Sequence, residues 1–280
     1  MGKTIACVIA RTVSTRLPLK VLRHVHADIS MLDFILQRLK LVPNIDKVYL
    51  CTSYENVDDI LEDVAKKNNV NIYRGSPDAV IERMIAVGEK EDASNLIRIT
   101  GDNVFTAYEY IDRQIQIHTE NDLDYTRIIG VPVGATSEIM KFSAVRKCYH
   151  SIDPAVSEYL LLYMFDPSQY KCGVLRIKGW TDYSSYLLTV DVNEDLERTR
   201  TILRYYNNET LKISLKSIIE IIQEYKVDNS IFNPHGVVKM PYGKIITFAE
   251  FQQDMSARIN QSLQFEIDPM ESLSEKAGDI

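Results

Sequence analysis

Ile5-Ala6-Cys7-Val8-Ile9-Ala10-Arg11-Thr12-Val13-Ser14-Thr15-Arg16-Leu17-Pro18-Leu19-Lys20 is the stretch from which the fold is read. Ile5 to Ala10 is a short, unbroken apolar run. Strands buried on both faces, as in the centre of a parallel sheet, have this composition. The run breaks into a polar loop that carries Arg11, Arg16 and Lys20 beside the hydroxyls of Thr12, Ser14 and Thr15. Open α/β sheets take their ligands in the crevice beyond the carboxyl ends of the strands. Arginine grips phosphate oxygens with a planar fork, lysine acts as a point charge, and successive backbone N–H groups in such a turn can nest an anion. The loop therefore suits a triphosphate. It is not a Walker loop, because G-x-x-x-x-G-K-[ST] is absent. The plain alternative is a solvated charged loop.

Outward from this stretch, further strands are expected at Lys47–Thr52, Val70–Tyr73 and Asn95–Thr100. Helices are expected between them at Met31–Val42, Asp58–Asn68, Ser76 to about Glu91, and Tyr108–Thr119. Leu32, Ile35, Leu36 and Leu39 share one side of the first helix. Ser76-Pro77-Asp78 reads as a helix start: a cap, a proline at the first helical position, and an acid near the positive end. This alternation predicts an α/β protein with a mainly parallel sheet and helices on both faces. Beyond Asp122 the pattern loosens. Leu123–Ile128 and Leu187–Val190 read as strands. Ser143–Tyr149, Pro154–Tyr163, Glu194–Tyr206 and Leu215–Tyr225 read as helices, and Gly130–Gly134 reads as a turn-rich loop. Residues 1–228 are expected to form one domain and 229–280 a C-terminal extension. That extension reads as a loop to Gly243, turning at Asn233-Pro234 and His235-Gly236, then a helix at Phe248–Leu263 and a frayed end at Asp268–Ile280.

Two more segments can carry chemistry. Arg98-Ile99-Thr100-Gly101-Asp102-Asn103 places an aspartate directly after a buried strand. Magnesium takes one or two carboxylates together with phosphate oxygens and water, so Asp102 suits it. A turn or helix cap is the simpler role for an isolated Asp of this kind. Thr189-Val190-Asp191-Val192-Asn193-Glu194-Asp195 has the same form. Asp191 is a candidate second metal carboxylate, and Asn193 or Asp195 would open the following helix. Two strand-end aspartates that converge on one sheet edge make a metal site more plausible than either does separately. Arg198 and Arg200, on that helix, read as a solvated face. Tyr159, Tyr163, Tyr183 and Tyr186 read as partly buried packing residues with wet hydroxyls, and the histidines form no catalytic set.

Composition narrows the partners. A net charge of −7 argues against general nucleic-acid binding, which favours a basic surface. It does not exclude a small anionic substrate held by a few local cations. Cys7, Cys51, Cys148 and Cys172 form no C-x-x-C pair and read as structural thiols, which points to a reducing cytoplasm. Ile5–Ala10 is too short for a signal peptide, and no apolar run is long enough to span a bilayer.

Taken together, A-R-x-x-S-T-R-L-P-x-K from Ala10 to Lys20, Tyr73-Arg74-Gly75-Ser76-Pro77-Asp78 with Glu82-Arg83, Arg98 to Asn103, and Gly130-x-Pro132-x-Gly134-x-x-x-Glu138 resemble a known family. It is that of the cytidylyltransferases activating sugar acids, such as 3-deoxy-manno-octulosonate and acylneuraminate, and more nearly its spore-coat polysaccharide biosynthesis branch. The resemblance covers roughly Ile5 to Leu203. It implies a Rossmann-like, GT-A-like nucleotidyltransferase sandwich, often dimeric, that uses Mg2+ to move CMP from CTP onto a sugar-acid, sugar or phosphonate-like acceptor. By resemblance, Arg11, Arg16 and Lys20 hold the triphosphate, and Asp102 and Asp191 hold the metal. Ala10, Thr12, Ser14, Thr15, Arg74, Gly75, Ser76, Arg98, Thr100 and Gly101 lie along the nucleotide. Glu138, Glu158 and Tyr159 lie toward the acceptor.

The chain also departs from that pattern. Val13 and Leu19 stand where the family usually has glycine, and a β-branched residue tolerates positive φ poorly. Val104 replaces a proline. Val156-Ser157-Glu158-Tyr159 stands where relatives often carry Arg-Glu-His, which puts the usual acceptor in question. The segment beyond Asn229 is longer than the family leads one to expect. Two other functions are compatible with a sheet of this kind. One is a nucleotide-sugar-dependent glycosyltransferase; the other is a nucleotide-binding homologue without turnover. The cationic loop favours a free triphosphate over the first, and retention of both aspartates argues against the second.

Overall fold

A computed structural model describes residues 2–231 and 236–269 of the chain. In the first half, strands Lys3–Ile9 (β1), His24–His26 (β2), Ile29–Ser30 (β3), Lys47–Ser53 (β4), Asn71–Gly75 (β5) and Ala93–Thr100 (β6) alternate with helices Met31–Leu39 (α1), Ile60–Lys67 (α2) and Val80–Glu91 (α3). Ile111–Glu120 (α4), Tyr125–Ile128 (β7), Glu138–Lys141 (β8), Phe142–Tyr149 (α5), Leu160–Met164 (α6) and Cys172–Ile177 (β9) follow. The chain continues with Asn193–Tyr205 (α7), Leu215–Tyr225 (α8), Val237–Lys239 (β10), Ile245–Thr247 (β11), Phe248–Gln261 (α9) and Leu263–Ile267 (β12).

Eight strands form the central sheet in the order β12-β9-β7-β8-β6-β1-β4-β5. Its strands pair in parallel except for β8, which runs antiparallel to both β6 and β7. Ile5, Ala6, Cys7 and Val8 of β1 are fully buried, as a central strand requires. Full burial of a single aliphatic side chain is worth about 1.5–3 kcal/mol. Helices cover both faces. On one, Ile81, Met84 and Val87 of α3 pack with Val145, Leu160, Met255 and Ile259 from α5, α6 and α9. On the other, Leu32, Ile35 and Leu39 of α1 pack with Leu61 of α2 and Ile111 and Ile115 of α4. A further core joins α7 and α8 to the β7–β9 side through Leu196, Ile202, Leu215 and Ile218. From β1 the chain winds out through β4 to β5, then returns past β1 to β6. The sheet thus reverses its winding between β1 and β6, and a ligand crevice is expected at that reversal.

Several boundaries differ from the sequence reading. The third helix begins at Val80, not at Ser76, and Ala79 stands before it in a non-helical conformation. Asp78, freed from the helix, faces Arg11 with Nη1 and Oδ1 3.7 Å apart. Leu187–Val190 is not a strand of the sheet. It makes one parallel bridge, Val133 to Leu187, and the Leu188 N–H donates to the Val133 carbonyl at 2.8 Å. Gly134, at φ +93°, permits this approach, because a Cβ there would lie 2.6 Å from the Thr189 nitrogen. The segment from residue 229 onward adds to the sheet. Its β12 pairs with β9 within it, and α9 is fixed by Arg258, whose Nη1 donates to the carbonyls of Leu162 (2.8 Å) and Phe165 (2.6 Å). The turn expected at Asn233-Pro234 and His235, and most of the frayed end, lie outside the described residues. All four cysteines are buried and free. No helix among the described residues is long and apolar enough to cross a membrane.

Candidate active site

Lys20, Asp102 and Asp191 come together at the carboxyl edge of the sheet. The Lys20 Nζ donates to Asp102 Oδ2 at 3.1 Å, to Asp191 Oδ1 at 3.0 Å and to the Val190 carbonyl at 3.1 Å. Arg16 reaches the same Asp191 oxygen through Nη2 at 2.9 Å. Burial works against the charged form of Lys20, but the two carboxylates outweigh it and hold its pKa above the ordinary lysine value.

Backbone contacts explain the convergence. The Gly101 N–H donates to the Ile9 carbonyl at 2.8 Å, which ties the end of β6 to the end of β1. The Val190 N–H donates to the Asp102 carbonyl at 3.0 Å, which places Asp191 beside Asp102. Asp195 then fixes the Asp191 segment by accepting from the N–H groups of Asp191 (2.9 Å) and Val192 (3.1 Å). Arg198 is no solvated side chain: it is 3% exposed, pairs with Asp195 at 2.8 Å, and donates to the carbonyls of Thr189 and Asn229.

The loop after β1 is braced from beneath. Asp58 Oδ1 accepts from the Thr12 N–H and the Thr12 hydroxyl, both at 2.7 Å, while its Oδ2 accepts from Ser53 Oγ at 2.5 Å. Burial alone would raise the Asp58 pKa, yet these hydrogen bonds bring it below the ordinary aspartate value. Leu19 adopts φ 55°, ψ 28°, the left-handed conformation that glycine supplies most cheaply, and Val13 is not among the positive-φ residues. The backbone turn is thus made with a leucine.

A cleft of about 470 Å3 lies above these residues, lined by Ala10, Arg11, Arg16, Lys20, Arg98, Thr100, Gly101, Asp102, Glu158 and Asp191 among others. A second cavity, of about 560 Å3, shares Arg98, Thr100, Asp102 and Glu158 with it and extends to Glu138 and Tyr159. The two spaces meet beside Asp102. Glu138 accepts from the Tyr125 hydroxyl at 2.6 Å and forms a close ion pair with Arg98.

Some residues expected along the nucleotide do not line the cleft. Thr12 is buried on Asp58, and Ser14 Oγ accepts from the Leu17 N–H at 3.3 Å within its own turn. Thr15 is exposed outside the cleft. Arg74 is committed to Asp59 and Glu62, both at 2.5 Å, and to the carbonyls of Ser53 and Glu55. Ser76 accepts only a long bond from Ala79, and Gly75 leaves the space occupied by Arg83, whose Cγ would lie 2.8 Å from an added Cβ. Arg83 itself does line the cleft, and composition gave it no site role. It is 1% exposed, its Nη1 donates to the Cys51 carbonyl at 3.1 Å, and among the described residues its buried Nε has no partner. The signal was present in the sequence, since arginine is a poor occupant of the apolar stripe of a helix.

Asp102 and Asp191 fit a magnesium ion. They present two carboxylates to one cationic position, held here by the Lys20 ammonium, and a hard ion there would complete its shell with phosphate and water oxygens. Among the described residues no group of three or more His, Cys, Asp or Glu forms a self-contained metal site. The remaining ligands would therefore come from the nucleotide.

A family model described as cytidylyltransferase matches residues 5–224. The spore coat polysaccharide biosynthesis protein SpsF of Bacillus subtilis is 31% identical over 209 residues, covering 72% of this chain and 87% of that protein. A cytidylyltransferase structure from Leptospira borgpetersenii superposes with a TM-score of 0.75 at 26% identity, over 83% of this chain and 100% of that one. The structure of CMP:2-keto-3-deoxy-manno-octonic acid synthetase with CTP superposes with a TM-score of 0.59 at 14% identity, over 72% and 98% of the two chains, a likeness of fold alone.

Proposed function

We propose that this chain, which belongs to the cytidylyltransferase family, transfers CMP from CTP to a small anionic or sugar-like acceptor and releases pyrophosphate. The relative named for spore coat polysaccharide biosynthesis supports a place in surface-polysaccharide precursor synthesis. The observation that carries the reading is the junction of Lys20 with Asp102 and Asp191 where a cationic cleft opens into a second cavity.

In the proposed reaction an acceptor oxygen forms a bond to the α-phosphorus from the side of the second cavity. The bond from that phosphorus to the oxygen bridging to the β-phosphorus breaks, pyrophosphate departs with the electron pair, and a hydroxyl acceptor loses its proton to water. Arg11, Arg16 and Lys20 bind the β- and γ-phosphates and stabilise the charge that grows on them. Asp102 and Asp191 would hold Mg2+, which neutralises phosphate charge and orients the nucleotide. No side chain is assigned as general base. The glycosyltransferase alternative is less well supported, because three loop cations suit a free triphosphate better than a nucleotide-sugar diphosphate.

Pyrophosphate release from CTP with magnesium and a panel of sugar acids, sugars and phosphonates tests the reading. Acceptor-dependent release is expected. In a parallel thermal-shift panel of CTP, UTP, ATP and GTP, a ligand that binds only the folded chain raises its melting temperature. Stabilisation by another triphosphate and none by CTP would reject the cytidylyl assignment.

A further inference from the structure

The second cavity is built unlike the first. Its floor is a row of directly paired positions across three strands: Arg98 on β6 opposite Glu138 on β8, and Glu138 opposite Arg127 on β7. Glu138 is taken by Arg98 and the Tyr125 hydroxyl, which leaves Arg127 unneutralised. Among the described residues the Arg127 side chain makes no hydrogen bond or ion pair. Its guanidinium lies 5.5 Å from the centre of the Phe165 ring, and its buried Nε has no partner. Buried polar groups are ordinarily satisfied, and a cavity-lining arginine that no carboxylate pairs with is suited to an anion from outside, although Asp102, Glu138 and Glu158 line the same space.

The rest of the wall is largely apolar. Leu162 faces the space from α6, while Met240, Phe251, Met255 and Ile259, together with the cation Lys239, come from the segment after residue 228. That segment lies beyond the residues matched by the family model, which end at 224. The chain thus supplies its own wall to the space where the acceptor would sit.

We propose that the acceptor is an amphipathic anion. Its carboxylate, phosphonate or phosphate group pairs with Arg127, and its apolar substituent packs against Leu162, Phe251 and Met255. The assignment rests on the cytidylyltransferase reading and narrows its acceptor class. The extension selects for the apolar part, and Arg127, with Lys239 on the same cavity, for the charge.

Titration calorimetry of the full chain at fixed ionic strength tests this with hexanoate, hexylphosphonate, methylphosphonate and 1-hexanol as probes. At least one hexyl anion is expected to bind about tenfold or more tightly than methylphosphonate or hexanol. A preference for hexanoate assigns a carboxylic acid, and one for hexylphosphonate a phosphonic or phosphoric acid. Arg127→Met should weaken the favoured hexyl anion by about tenfold or more, the scale of a lost charged hydrogen bond, while CTP affinity stays within about twofold of wild type. Met255→Glu, on a helix outside the sheet, should weaken it as well. Equal binding of hexyl and methyl anions, equal binding of hexanol and the anions, or an unchanged affinity in Arg127→Met would overturn the proposal. The probe comparison on the wild-type chain needs no variant to fold. Failure of CTP alone to bind would count against the nucleotide reading and is a separate titration.

Discussion

At the scale of single residues, the loop after β1 is held by one strained backbone position and one buried carboxylate. Leu19 in the left-handed region costs ~1–2 kcal/mol, and glycine carries an entropic handicap of ~0.5–1 kcal/mol. Leu19→Gly is therefore expected to leave stability unchanged or raise it by up to about 1 kcal/mol. Leu19→Val should destabilise, because a β-branched residue fits this region less well. Denaturant midpoints of both variants check the sign. Asp58 satisfies Thr12 and Ser53 in a fully buried position, so Asp58→Ala strands several donors and should cost about 2–4 kcal/mol. Its lowered pKa gives a second signature. A carboxylate with a depressed folded pKa stabilises above its unfolded pKa and loses that contribution as pH falls through the folded value. Wild type should therefore lose stability more steeply than Asp58→Asn below about pH 4. Equal slopes would show that Asp58 is not the anchor described.

At the scale of elements, α3 explains why part of the site escaped the sequence. Its apolar stripe of Val80, Ile81, Met84 and Val87 was readable, and so was its end near Glu91. Its start was not. Ser76-Pro77-Asp78 has every local mark of a helix start, but Asp78 lies opposite Arg11 and the helix begins two residues later. Arg83, on the buried face, lines the same cleft as Asp78 and Arg11. Burial and the nearby charge of Arg11 lower its pKa, so the folded chain gains little by keeping it there. Arg83→Met is expected to leave the melting temperature unchanged or raised, while CTP affinity falls by about tenfold or more. A drop in stability with unchanged CTP affinity would make Arg83 a packing residue only. Arg74 is the opposite case: its position resembles that of a nucleotide ligand, and in the structure it pairs with Asp59 and Glu62.

At the scale of the whole molecule, the half of the sheet built by alternation was legible, because continuous apolar strands and amphipathic helices repeat through β6. The other half was not. β8 is four residues long with a charged residue at each end, and its antiparallel course follows from neighbours remote in sequence. Cys172–Ile177 carries an apolar run that a stricter reading would have taken as a strand, whereas β12 alternates around an exposed edge and gains its place by pairing with β9. The site behaved similarly. Arg11, Arg16, Lys20, Asp102 and Asp191 were readable as strand-end chemistry, and they converge. Arg127 and the apolar wall from the extension depend on strand register and on a long-range return of the chain.

The most direct test of the central claim is a crystal structure of the chain with CTP and Mn2+, with the metal located by its anomalous signal. The account predicts manganese bound by the carboxylates of both Asp102 and Asp191, and triphosphate oxygens in contact with Arg11, Arg16 and Lys20. A triphosphate seated away from the loop after β1, or a nucleotide-bound metal that touches neither aspartate, would contradict it.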